Sequence, residues 1–304
     1  MNRRSIWTVS VRTEPEAEEA VAEWLEHMFK QTPASYTDAR TRVTEVTVYL
    51  PTRPRWISAE RERLRAELNR ISGLNIGSGK ISLARIPSEE WANSWKRHFK
   101  PIEIGSALLV RPSWSRRAAR KGAAVVEIDP GLSFGTGQHP TTAFCLRQLV
   151  AQRRCGRAQS FLDAGTGSGI LAIAAAKLGY APIDGLDSDP DAIRNARANA
   201  RLNGVAGRIR FIHQEIRQLP RRGATQYALV CANLIADLLV MERDRLLARL
   251  QPHGVLVIAG VLDREFSQIK RSYEKAGLIL LTSRKEKEWR SGSFGRATAT
   301  QRGI

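Results

Sequence analysis

The sequence predicts an α/β protein: a doubly wound, mostly parallel sheet in the C-terminal two thirds, preceded by a small α+β domain. Three observations carry this. From about residue 106 short apolar runs alternate with amphipathic stretches, the pattern of a parallel sheet covered on both faces. Residues 6–86 instead follow the order β-α-β-β-α-β. Between the two patterns, residues 88–105 read as a joint containing one helix.

In the first domain (residues 1–87), Ile6–Arg12 alternate and predict a strand. Residues 14–29 place Ala17, Ala20, Val21, Trp24, Leu25 and Met28 on one helical stripe. Ala34–Asp38 is a weak strand and Thr44–Leu50 a strong one; Ala59–Ile71 is a charged helix and Lys80–Ile86 closes the set, a ferredoxin-like order. In the joint, Ser88 can cap a helix whose Trp91 and Trp95 share a face, a clamp between domains or a substrate platform. In the second domain (106–304) strands read at 108–111, 124–128, 160–162, 182–186, 208–213, 227–232, 255–259 and 278–282. Helices read at 170–178, 191–202, 236–250 and 264–276, with Asn203-Gly204 and Gly277 as stops. This is a Rossmann-like arrangement.

Composition narrows the function. The chain of 304 residues carries 48 Lys and Arg against 30 Asp and Glu, a net charge of +18. Residues 1–87 hold 14 of the basic and 11 of the acidic residues, so most of the excess lies in the second domain. Two readings follow: attraction to nucleic acid or a ribonucleoprotein, or an Arg-rich composition, since 38 of the bases are Arg. No apolar run is long enough to span a membrane, and the N-terminus has no signal-peptide pattern. Cys145, Cys155 and Cys231 share no metal or redox spacing, so no metal site is expected and a reducing cytoplasm is.

Four stretches carry the chemistry. The first is Phe161-Leu-Asp163-Ala-Gly165-Thr-Gly167-Ser-Gly169, an apolar strand feeding a glycine turn and a helix. Glycines allow positive φ and close backbone approach, and the helix start offers unpaired N–H groups. Its spacing is G-x-G-x-G. The third glycine of a dinucleotide fingerprint would fall at Ile170, which argues against a nicotinamide oxidoreductase. No pyrophosphate has to be cradled in S-adenosyl-L-methionine, for which the shorter loop suffices. The second is Gly185-Leu-Asp187-Ser-Asp189-Pro190: Asp187, ending the next strand, can accept two ribose hydroxyls, and Asp189-Pro190 reads as a helix cap. The third is Asp129–Thr142, an irregular loop containing Phe134-Gly135-Thr136 and His139, with Pro140 opening a helix that carries Thr142. The fourth is Cys231-Ala-Asn233-Leu-Ile, which puts Asn233 at a strand's carboxyl end, where doubly wound sheets bind ligands.

With these stretches in hand, the chain resembles the class I S-adenosylmethionine-dependent methyltransferases. More narrowly it resembles the PrmA family, which methylates large-subunit ribosomal protein eleven. The resemblance rests on Trp91–Lys96, Arg111–Trp114, Asp129–Thr142, Leu162–Lys177, Asp187–Pro190 and Ala232–Leu234, and it runs over nearly the whole chain. The Phe-Gly-Thr-Gly-x-His-Pro-Thr-Thr string followed by the glycine loop is its most specific part. It implies that Thr142, Gly165, Gly167, Asp187 and Asn233 hold the cofactor, and that Phe134, Gly135 and Thr136 lie over its methionine part. It also implies that the N-terminal domain recognises the ribosomal protein. The chain departs from the family at Thr166, where Cys is more usual, and at Tyr227-Ala228, where an acid is usual.

The implied reaction is methyl transfer to a lysine or N-terminal amine, with Asn233 and the loop of Phe134 and Thr136 orienting the amine and no dedicated side-chain base. Two alternatives stand beside it: methylation of RNA or another protein, and a non-catalytic module that holds ribosomal particles. Asn233-Leu-Ile-Ala lacks the aromatic ring expected of many adenine-N6 enzymes.

Overall fold

In the computed structural model the described residues are 5–29, 31, 33–38, 41–50, 52–54, 80–87, 101–128, 139–154, 156–222 and 225–296. The helices expected at 59–71 and around Trp91 and Trp95 lie outside them. The chain divides into two compact units, Met1–His98 and Phe99–Ile304.

In the first unit β1 (Ser5–Thr13), α1 (Glu18–Phe29), β2 (Ala34–Thr37), β3 (Thr44–Leu50) and β4 (Lys80–Pro87) form an antiparallel sheet of order β2-β3-β1-β4 with one helix described against it. Val46, Val48 and Leu50 alternate with half-buried neighbours along β3, so one face is apolar and takes the helix. Val9 and Val11 of β1 and Val21 and Leu25 of α1 complete this core. The expected helical stripe is shorter than the sequence suggests. Pro15–Ala17 is a separate 3₁₀ turn, and Met28 is 39% exposed, beyond the edge of the sheet-facing stripe.

In the second unit β5 (Ile102–Ile104), β6 (Leu108–Arg111) and β7 (Ala124–Glu127) form their own three-stranded sheet. Residues 102–104 are therefore a strand, where the sequence suggested a joining helix. Their apolar-polar-apolar triplet is too short to declare a period. The sheet packs into the same core as α2 (Pro140–Ala151) and α3 (Ile170–Leu178) through Ile104, Leu108, Val110 and Val126.

The main sheet has seven strands: β8 (Phe161–Ala164), β9 (Ile183–Asp187), β10 (Arg210–His213), β11 (Tyr227–Asn233), β12 (Leu250–Leu262), β13 (Leu278–Glu286) and β14 (Trp289–Arg296), in the order β10-β9-β8-β11-β12-β14-β13. β14 is antiparallel to both neighbours; the pairs from β10 to β12 are parallel. Strand order therefore reverses at β8, which makes the carboxyl ends of β8 and β11 the switch point. One face carries α2, α3 and α4 (Pro190–Leu202). The other carries α5 (Ala236–Met241), α6 (Arg243–Ala248) and α7 (Asp263–Lys275).

Local chemistry sets several of these elements. Ala172, Ala174, Ala175 and Ala176 are fully buried, and small side chains let α3 lie close to the sheet. Gly169 and Gly179, both left-handed, begin and end that helix. Pro190 opens α4 behind Asp189, whose carboxylate accepts from Asp191 N at 2.8 Å. Asn203 ends α4, and its amide reaches β7: Nδ2 donates to Glu127 O at 2.7 Å and Oδ1 accepts from Glu127 N at 2.8 Å. Where one helix was expected at 236–250 there are two, α5 and α6, broken at the buried Glu242 with φ −101°. Leu239 and Leu246 face the core from either side of the break.

Candidate functional site

Parallel pairing brings the four predicted stretches to one edge. Ala164 is registered with Leu186 on one side and Ala232 on the other, so Gly165, Asp187 and Asn233 follow side by side at the carboxyl ends of β8, β9 and β11. Gly165 N and Thr166 N both donate to Leu186 O at 2.9 Å, which turns the chain sharply off β8. Gly165, Gly167 and Gly169 all have positive φ, of 79°, 52° and 81°. Two of them also have no room for a side chain. A Cβ on Gly165 would stand 2.6 Å from Leu234 Cδ2, and one on Gly169 would stand 2.9 Å from Ala196 Cβ in α4. Gly169 thus lets the start of α3 lie close against α4. Ile170 is simply buried, so its side chain obstructs nothing.

Asp187 is half-buried and bonded to the glycine turn. Its Oδ2 accepts from Gly167 N at 2.9 Å and its Oδ1 from Asp189 N at 3.0 Å. A carboxylate has about four acceptor positions, so one remains on each oxygen. This is the pattern that a vicinal diol needs, and it fits the ribose of a nucleoside-bearing cofactor.

Asp163, three residues before Thr166, was not singled out by sequence reasoning although it ends the apolar run. It is 1% exposed. Its Oδ2 accepts from Thr166 Oγ1 at 2.8 Å and from Ala172 N at 3.3 Å, while Oδ1 has no hydrogen-bond partner. Burial raises its pKa to about 7, against the lowering effect of the Thr166 and Ala172 bonds; the nearby Asp187 adds to the rise. Asp163 holds the turn from inside.

Thr142 is buried in the first turn of α2, behind Pro140. Asn233 Nδ2 donates to Thr142 Oγ1 at 3.5 Å, the long limit of such a bond. Gly260 passes so close that an added Cβ would be 3.0 Å from Asn233 Oδ1 and 2.6 Å from Leu234 O. The structure thus brings together Thr142 with Asn233, and Gly165 and Gly167 with Asp187. Phe134, Gly135 and Thr136 lie outside the described residues.

His139 marks the near end of that loop. Its Nδ1 is 2.7 Å from Thr141 Oγ1, and its ring meets Trp289 edge-on with centroids 4.8 Å apart. Burial lowers the His139 pKa, with Lys287 adding to the effect and Glu288 opposing it. Trp289 begins β14, a strand the sequence did not reveal. Among the described residues no cluster of His, Cys, Asp and Glu could hold a metal ion.

This geometry can be set beside known proteins. The model for "Ribosomal protein L11 methyltransferase (PrmA)" matches residues 5–296. This chain belongs to that family. A ribosomal protein L11 methyltransferase from Citrifermentans bemidjiense is 41% identical over 215 residues, 69% of this chain and 68% of that protein. One from Pelotomaculum thermopropionicum is 38% identical over 228 residues, 75% of this chain and 72% of that protein. A crystal structure of ribosomal protein L11 methylase from Lactobacillus delbrueckii subsp. bulgaricus aligns with a TM-score of 0.58 at 25% identity, over 66% of this chain and all of that one. PrmA membership accounts for the strand order and makes the chain a methyltransferase with a class I, Rossmann-like sheet.

Proposed function

We propose that this PrmA-family chain transfers methyl groups from S-adenosyl-L-methionine to lysine and N-terminal amines of ribosomal protein L11, in the cytoplasm. The observation that carries the proposal is the shared edge of Gly165, Asp187 and Asn233, with Asp187 bonded to the turn at Gly167. The bound cofactor supplies a methyl group already activated on a sulfonium, so the protein's work is alignment and exclusion of water.

In this reading the two remaining acceptor positions of Asp187 take the ribose hydroxyls. Thr142, Gly165 and Gly167 border the methionine end, and Phe134, Gly135 and Thr136 close over it. Asn233 orients the amine: with Nδ2 turned to Thr142, its Oδ1 is left to accept an N–H. A lysine must arrive neutral although its ordinary pKa is about 10.4. Apolar surroundings and a neighbouring cation both lower that value, so no side-chain base is needed. In this reading residues 1–87 form the docking module for L11, and the unit Phe99–Ile304 carries the chemistry.

Incubation with methyl-labelled cofactor and ribosomal fractions tests the substrate. Label on L11 amines is expected. Label on RNA would favour the reading suggested by the net charge of +18, in which the basic surface contacts ribosomal RNA.

A further inference from the structure

The parallel strands β8 to β12 run the same way, so their starts share one end of the sheet, opposite the edge of Asp187 and Asn233. The connections that enter β8 (152–160), β9 (179–182), β10 (203–209) and β11 (219–226) contain no Asp or Glu. They contain six arginines: Arg153, Arg154 and Arg157 before β8, Arg208 before β10, and Arg221 and Arg222 before β11. All six are exposed. Among the described residues none of the six makes an ion pair. The carboxyl ends of the strands differ. Asp187, Asp189, Asp191 and Asp263 stand there, and Arg194 pairs with Asp191, while Lys285 and Arg290 each reach Asp263 at 2.6 Å. An Arg-rich composition alone gives no reason for this segregation.

Three of these arginines share one place. Arg153, Arg154 and Arg157 line a small cleft of about 80 Å³ together with Gln159, Gly179 and Tyr180, and no acid lines it. The carboxyl ends of α2 and α3 lie beside it, at Ala151 and Leu178. Each helix end is worth roughly half a negative charge, so the two offset about one guanidinium of the three. Adjacent strands lie about 4.8 Å apart, so the starts of β10, β9, β8 and β11 extend over about 14 Å. Uncompensated guanidiniums spread over such a length suit a polyanion of closely spaced phosphates. The face offers no platform for bases. Tyr180, the one aromatic residue in these connections, is buried and its hydroxyl donates to Leu149 O at 2.8 Å. Single strands are gripped by base stacking, whereas duplex RNA is held by phosphate contacts and shape. One large apolar side chain, Leu202, is exposed next to the face, too little to enter a membrane.

We propose that this end of the main sheet docks the phosphate backbone of double-stranded RNA without reading its sequence. RNA bound there leaves the edge of Asp187 and Asn233 open. The choice of RNA rests on the ribosomal reading above; the face itself uses none of the methyl-transfer residues.

The test measures binding of a fluorescein-labelled RNA duplex of about 16 base pairs to the full chain by anisotropy, over a series of salt concentrations. Polyuridine of equal length and phosphatidylglycerol vesicles are the competing partners. The duplex is expected to bind more tightly than either, and more weakly as salt rises. The triple variant Arg153→Ser, Arg154→Ser, Arg157→Ser should weaken it about tenfold or more and lower the salt slope by about 2–3. The double variant Arg221→Ser, Arg222→Ser should lower the slope by about 1–2. Arg264→Ser with Arg271→Ser removes two exposed arginines from α7 and should change neither quantity. Circular dichroism confirms folding, and if the triple variant fails to fold the double variant decides. Methylation of free L11, measured in parallel, reports on the methyl-transfer reading alone. No duplex binding, or an equal loss with the α7 pair, overturns the face. Tighter binding of polyuridine or of vesicles overturns duplex RNA as its partner.

Discussion

Asp187 Oδ2 accepts a hydrogen bond from Gly167 N at 2.9 Å, so the acid that ends β9 and the glycine turn that follows β8 are one unit before any ligand arrives. The carboxylate is thereby aimed, and the turn is held at the same time. Asp187→Ala removes both effects. Affinity for S-adenosylhomocysteine is expected to fall by at least about thirtyfold, the worth of one or two hydrogen bonds to a charged group. Calorimetry of the variant checks this, with circular dichroism to confirm that it folds.

Two glycines separate strain from crowding. Gly165 has φ 79° and an added Cβ would meet Leu234 at 2.6 Å; Gly179 has φ 92° but open space around it. Gly179→Ala should cost about 1 kcal/mol, the penalty of a left-handed residue alone. Gly165→Ala should cost somewhat more, about 1–2 kcal/mol, since the Leu234 methyl must also swing aside, and because Leu234 adjoins Asn233 it should also lower turnover. Denaturant unfolding of the two variants makes the comparison.

Asp163 makes stability depend on pH. Its pKa is about 7 in the folded chain and near 3.8 when unfolded, so the folded state binds the extra proton between those values. Stability contributed by the protonated form is therefore fully present below about pH 4 and is lost as pH rises towards 7. Asp163→Asn keeps an acceptor for Thr166 and Ala172 and removes the charge. It should flatten this part of the profile and raise stability at pH 8 by about 2–4 kcal/mol. Unfolding midpoints between pH 4 and 8 test it.

Where the sequence can be read, the reason is local chemistry. Ile170–Leu178 is found at its expected bounds because Gly169 and Gly179 punctuate it. Thr44–Leu50 is found at its expected bounds because one face of β3 is buried and the other is not. The glycine turn, Asp187 and Asn233 were legible for a related reason: each ends an apolar run, and parallel pairing brings such ends together. What stayed hidden depends on tertiary contact. β14 reads Trp-Arg-Ser-Gly-Ser-Phe-Gly-Arg, with little apolar alternation, because it is buried on both faces and all its inner positions except Phe294 are small. A Cβ on Gly292 would be 2.8 Å from Phe266 Cζ, and Ser293 is fully buried. Trp289, and with it the ring contact to His139, was lost with that strand. Asp163 was passed over because nothing in a sequence distinguishes a buried acid from a strand-ending one. The split between α5 and α6 turns on Glu242, whose buried carboxylate accepts from Arg245 at 3.0 Å, a pairing that helical periodicity does not reveal.

The central claim is that the edge holding Asn233 positions an amine of L11 for methyl transfer. Its most direct test measures methylation of purified L11 by intact-mass and peptide mass spectrometry, with the unsubstituted protein and with Asn233→Ala at saturating cofactor. The account expects methyl increments on lysine and N-terminal amines of L11 with the unsubstituted protein. With Asn233→Ala it expects a turnover loss of about a hundredfold or more, while calorimetric affinity for S-adenosylhomocysteine changes by much less. Full turnover by Asn233→Ala, or methyl groups found on RNA and not on L11, would contradict it.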